Sequence, residues 1–215
     1  MNNGDSFFRT YGPYLPPKSC CLDVGAYDVN GSLRQVAPAM WQYVGVDFSA
    51  GPGVDVVLED PYHLPFPDGS FDVAVSTSCF EHSEFFWLSF LEVLRILSPR
   101  GLFYLNAPSN GSFHRYPVDC WRFFPDSGKA LEKWAKRNQV SAQLLESFVS
   151  YQKVKPWNDF VAVFLKDGHY AAEYPKRMYS EREDVENIHS SLHNNLLKFI
   201  GPTEDQRRLK VKLSS

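Results

Sequence analysis

Residues 58–109 read "LEDPYHLPFPDGSFDVAVSTSCFEHSEFFWLSFLEVLRILSPRGLFYLNAPS". Within it, "FDVAVSTSCF" (71–80) is a short, largely apolar run that follows a Pro- and Gly-containing loop, the pattern of a buried strand. "FFWLSFLEVLRIL" (85–97) has another period: Phe86, Phe90, Leu91, Leu94 and Leu97 recur three and four apart, which predicts a helix with one apolar stripe. "SPRG" closes that helix and "LFYLNAP" (102–108) is again strand-like. Strands joined by a helical crossover indicate a parallel sheet.

Upstream the alternation continues. "CCLDVGA" (20–26) predicts a strand, "GSLRQVAPAM" (31–40) a short helix stopped near Pro38, and "WQYVGVDFS" (41–49) and "VDVVLED" (54–60) two more strands. Downstream, "KALEKWAKRN" (129–138) predicts a helix. "QLLESFVSYQKV" (143–154) and "DFVAVFLK" (159–166), separated by "KPWN", predict an antiparallel pair finishing the sheet. Three parts follow: an irregular, Pro-containing cover over residues 1–18, an α/β domain over 19–169, and a polar segment over 170–215. In the last, "EREDVENIHSSLHNNLLKFIG" (181–201) is expected as one amphipathic helix and 204–215 as a mobile end.

The chain has 215 residues, 44% hydrophobic, enough for one substantial core. A net charge of −3 gives no electrostatic case for a nucleic-acid partner. No run approaches a membrane span and the first residues carry no signal pattern, so a cytoplasmic protein, monomeric or homodimeric, is expected. The four cysteines lack CxxC spacing; buried free thiols are expected, and no metal.

"LDVGAYDVNGSL" (22–33) places an acid, Asp23, before a Gly-containing turn, and a second acid, Asp47, closes the next strand. This is the logic of a nucleotide-cofactor site: glycine permits close backbone approach and the second acid accepts both ribose hydroxyls. NAD-dependent enzymes share it, so these two residues leave the cofactor open, and Asp23 could equally cap its turn.

With "LEDPYHLPFPDGSFD", the "EH" pair Glu81–His82 and the Arg95–Gly101 turn added, the chain resembles class I S-adenosylmethionine-dependent methyltransferases of the small-molecule type over residues 20–125. Tyr27 and Val29 stand where that family has glycines, as in a subgroup with a similar "YDVNGS" loop and a similar "HRYPVDCWRF" stretch (114–123). The resemblance implies a Rossmann-like class I methyltransferase fold: a mostly parallel seven-stranded sheet with one antiparallel strand and helices on both faces. It further implies S-adenosylmethionine as cofactor and S-adenosylhomocysteine as product. Asp23, Gly25, Ala26, Tyr27, Asp47, Phe48, Asp60, Pro61 and Ser78 are the implied cofactor-binding positions, with Asp60 at the adenine amino group and Tyr27 expected at the methionine end.

Transfer to a hydroxyl needs a positioned base beyond the fourth or fifth strand. His114 with Asp119 as orienter is the first choice, and His82 beside Glu81 the second. Arg115, Tyr116 and Trp121 are the substrate-binding candidates, with a sugar or glycan precursor as the expected acceptor. Arg122 either recognises an acidic group or pairs locally. A non-catalytic methyltransferase-like partner-binding protein, a nucleic-acid methyltransferase and an NAD(P)-dependent oxidoreductase are the rival readings.

Overall fold

The computed structural model describes residues 3–151, 157–199, 201, 205 and 207–209. The strands are β1 (Cys20–Val24), β2 (Gln42–Asp47), β3 (Val56–Val57), β4 (Phe71–Thr77), β5 (Leu97–Pro108), β6 (Gln143–Tyr151), β7 (Asn158–Leu165), β8 (Val185–Ser190) and β9 (His193–Leu197). They form one sheet in the order β3-β2-β1-β4-β5-β7-β6-β8-β9. The first five positions pair parallel, and β7 runs antiparallel to both β5 and β6. The class I arrangement expected from the sequence is therefore present, and the hairpin β8–β9 extends it at one edge.

Helices α1 (Asn3–Tyr11), α2 (Phe86–Ile96) and α3 (Pro125–Arg137) cover the sheet. Phe90, Val93 and Leu94 of α2, with Leu131 and Ala135 of α3, pack on Leu22, Ala74, Phe103 and Phe164 on one face. Each such buried Phe or Leu contributes about 2 kcal/mol. On the other face Phe7, Phe8 and Tyr11 of α1 join Val73, Val75, Tyr104 and Val163. Phe7 stacks on Tyr104 with ring centroids 4.8 Å apart.

The sequence-based expectations fail at the ends and in one crossover. Residues 3–11 are helical rather than irregular because the prolines all follow Tyr11, while Phe7 and Tyr11 lie one turn apart on the buried face and Asp5 pairs with Arg9. Residues 31–40 give only a 3-10 turn, Leu33–Gln35, capped by the Ser32 hydroxyl and confined between Gly31 and Pro38. The helix expected over 181–201 is instead the hairpin β8–β9. Val185 and Ile188 are three apart, as on a helix face, yet a strand buries both because Asn187 adopts φ +52° and the register shifts beside it. The segment expected as a mobile end, 204–215, lies mostly outside the described residues. All four cysteines are free thiols, but only Cys21 is buried as expected; Cys20 and Cys79 are half-buried and Cys120, in the loop after β5, is exposed.

Candidate active site

The carboxyl ends of β1, β2, β4 and β5 lie along one edge of the parallel half, where open α/β sheets bind ligands. After β1 the chain turns at Gly25, φ +82°; a Cβ there would lie 2.4 Å from that of Cys79, so only glycine fits between the loops after β1 and β4. The N–H groups of Gly25 and Ala26 both donate to the Val46 carbonyl, clamping this loop to β2. Asp47, at the end of β2, accepts from Ser49 N at 3.0 Å and from Tyr27 N at 3.4 Å. The Tyr27 ring lies against Gly51 in the loop after β2, on the Asp47 side. Phe48 is 53% exposed beside it. Asp60 and Pro61 are exposed, and Asp60 accepts from Tyr62 N at 2.8 Å. Ser78, φ +50°, donates its N–H to the Asn106 carbonyl at the end of β5.

Asp23, at the end of β1, is buried. Its side chain accepts from the Tyr43 hydroxyl at 2.7 Å, and burial pushes its carboxyl up to about 6. Cys79 is likewise pushed up by burial, to about 12, which keeps it a thiol rather than a nucleophile at neutral pH.

The second cluster forms where the loop after β4 meets the loop 109–124. The Glu81 carbonyl accepts from Cys120 N and Trp121 N, and the Trp121 indole donates to the Ser83 carbonyl at 3.0 Å, so the two loops are stitched together. His82 and His114 meet edge to face with ring centroids 5.0 Å apart. His82 Nδ1 bonds the Val118 carbonyl. His114 N donates to Asp119 Oδ2 at 2.7 Å, and His114 Nδ1 lies 3.3 Å from that oxygen. Arg122 grips Asp119 with two bonds, 2.5 and 2.8 Å. That pairing, aided by the His114 N–H, holds the Asp119 carboxyl far below the usual carboxylate range. Glu81 is 1% exposed; its Oε1 is 3.7 Å from His82 Nε2, its Oε2 has no hydrogen-bond partner, and burial pushes its carboxyl up to about 8. Trp157, on the connection before β7, closes the cluster with its ring 5.1 Å from His114 and beneath the Arg122 guanidinium.

Residues 21–105 match the family model described as a methyltransferase domain. Over those residues the chain matches the methyltransferase family model, and its sheet has the class I methyltransferase fold. Among solved structures similar in fold is a 1,6-didemethyltoxoflavin-N1-methyltransferase from Burkholderia thailandensis, solved with 1,6-didemethyltoxoflavin and S-adenosylhomocysteine (14% identity, TM-score 0.57, 77% of each chain covered). Another is described as a putative sarcosine dimethylglycine methyltransferase from Galdieria sulphuraria (15% identity, TM-score 0.56, 76% of this chain and 84% of that one). A third is the [4+2]-cyclase SpnF (15% identity, TM-score 0.54, 78% and 86%). No curated protein matches the chain.

On this methyltransferase scaffold the sequence-named residues fall into two groups. Gly25, Ala26, Tyr27, Asp47, Phe48 and Ser78 line the loops after β1, β2 and β4, while Asp60 and Pro61 sit farther along the same edge. His82, His114 and Asp119 come together, with Arg122 paired locally rather than open. Arg115 and Tyr116 are exposed beyond the cluster, and Trp121 packs against Phe86 and Trp87. Trp157 was read only as a separator between strands; a Trp in a short polar connection was its one signal. The clamp from α1 had none: Asn3 Nδ2 donates to Asn106 Oδ1 at 3.2 Å and Asp159 Oδ2 at 3.0 Å, and Asn3 Oδ1 accepts from Arg182 at 2.6 Å.

Proposed function

We propose that this methyltransferase uses S-adenosylmethionine to methylate a small-molecule acceptor, a hydroxyl of a sugar or glycan precursor, with His114 as base. The edge suits the donor in two respects: Gly25 admits no side chain where the backbone must approach closely, and Thr77 Oγ1, at the end of β4, is a buried hydroxyl without a partner. Asp47 would hold the ribose, Phe48 and Asp60 the adenine, and the loop Gly25–Tyr27 the methionine part. When bound, S-adenosylmethionine supplies an electrophilic methyl group on a sulfonium, and S-adenosylhomocysteine remains.

The observation that carries the acceptor side is the His114–Asp119 pair. Asp119, kept ionised by Arg122, faces Nδ1 of His114, orienting the ring and supporting the charge that develops when His114 takes the acceptor's proton. Trp121, partly exposed beside the same loops, would give a sugar ring an apolar surface.

Methyl transfer from labelled S-adenosylmethionine to a panel of nucleotide sugars and small phenols tests the reading. His114→Ala is expected to slow transfer about 10²- to 10⁴-fold while the cofactor Kd stays within about twofold. Equal losses in both make His114 a structural residue, and turnover with phenols alone replaces the sugar acceptor.

A further inference from the structure

We propose that Glu81, His82 and His114 bind a divalent first-row transition-metal ion at the acceptor end of the site. One ligand atom from each residue lies within 4.8 Å of the other two. In a tetrahedral zinc-type site, ligand atoms stand about 3.4 Å apart. His82 Nε2 and Glu81 Oε1, at 3.7 Å, are already near that spacing, so His114, whose ligand atom lies within 4.8 Å of both, is the one left to move in.

Two features point to a ligand rather than to ordinary packing. Glu81 Oε2 is buried with no hydrogen-bond partner, an arrangement that costs about 1–3 kcal/mol or more unless something takes up the lone pairs. Both imidazoles have polar groups behind them: Nδ1 of His82 is tied to the Val118 carbonyl, and Nδ1 of His114 lies 3.3 Å from Asp119 Oδ2, 3.4 Å from the Ser112 carbonyl and 3.5 Å from Arg122 Nη2. A carbonyl or carboxylate behind the ring orients a metal-binding histidine and leaves its other nitrogen as a bare acceptor. Arg122 compensates Asp119 through two hydrogen bonds, so Glu81 is the carboxylate left for the cation. Two imidazoles with one carboxylate suit zinc, cobalt, manganese or ferrous iron rather than magnesium or calcium, and they leave coordination positions open. Glu81 and His82 are adjacent and His114 belongs to another loop, so no spacing motif announces the site.

For catalysis the inference rests on the methyl-transfer reading and replaces only its base: a cation here would hold the acceptor hydroxyl and lower its pKa so that the proton leaves to solvent water before transfer, with His114 then a ligand. Metal binding itself does not depend on that reading.

The test is a titration of the chelator-treated full chain with CoCl2, followed by calorimetry and visible absorbance. One Co(II) per chain is expected, with d–d bands and without the thiolate-to-metal charge-transfer band that cysteine ligation gives. His114→Ala, in a partly exposed loop, and the isosteric Glu81→Gln should each weaken binding by about tenfold or more while keeping the wild-type circular dichroism. The His114 variant decides the matter if Glu81→Gln misfolds. No stoichiometric Co(II) binding, a thiolate band, or affinity unchanged in His114→Ala overturns the assignment. Co(II) binding without S-adenosylhomocysteine binding keeps the metal site and removes the methyltransferase reading; the reverse result removes only the metal.

Discussion

Glu81 and Glu146 are both carboxylates buried in the fold, 1% and 0% exposed, yet their surroundings are opposite. Glu146, on β6 under α1, accepts from the Tyr11 hydroxyl at 2.6 Å, Met178 N at 2.8 Å and Tyr179 N at 3.2 Å, with the buried Arg177 guanidinium close by. Both of its oxygens are used, and what it joins is structural: α1, β6 and the turn at 178–181. Glu81, between the loops after β4 and β5, has one oxygen without a partner and two histidines before it. A saturated buried carboxylate holds the fold together, whereas an unsaturated one marks a place where a ligand completes the shell.

The largest expected effect is on the saturated side. Glu146→Ala strands the Tyr11 hydroxyl, two N–H groups and a buried cation, and should destabilise the chain by about 3–5 kcal/mol in urea unfolding. A loss below about 1 kcal/mol would erase the contrast. Asp23 is the intermediate case, buried with one partner, the Tyr43 hydroxyl. Its native carboxyl titrates near 6 against 3.8 unfolded, so the native state binds the proton more tightly. Stability from this group is therefore full below about pH 4 and is lost as pH rises through about 6, a fall of about 3 kcal/mol. Asp23→Asn should flatten that part of the profile; an unchanged slope would place its origin elsewhere.

Smaller effects belong to the ligand edge. Asp47→Ala is expected to weaken S-adenosylmethionine binding about tenfold or more in calorimetry, with unfolding free energy changed by less than about 1 kcal/mol. An unchanged affinity would mean that the ribose acid is another residue. Glu81→Gln should be the mildest for stability, within about 1 kcal/mol of wild type in either direction, because no strong partner is lost. A loss as large as that of Glu146→Ala would show Glu81 to be structural.

What was legible in the sequence follows the same division. The parallel strands β1, β2, β4 and β5 and helix α2 could be read because burial on both faces or along one stripe imposes a period on neighbouring residues. Asp47, His82, His114 and Asp119 could be named because they follow the strand ends to which this sheet order assigns ligands. The meeting of Glu81 and His82 with His114 depends on how two loops fold over each other, held by Glu81 carbonyl bonds that leave no residue pattern. The hairpin β8–β9 was hidden by its bulge, which gave a strand the three-residue spacing of a helix. The α1 clamp joins Asn3 to Asn106, Asp159 and Arg182, partners far apart in the chain.

Calorimetric titration of the folded full chain with S-adenosylmethionine and with S-adenosylhomocysteine tests the methyltransferase assignment most directly. One equivalent of each should bind, with affinity reduced about tenfold or more in Asp47→Ala. No binding of either ligand by protein with intact circular dichroism would contradict it.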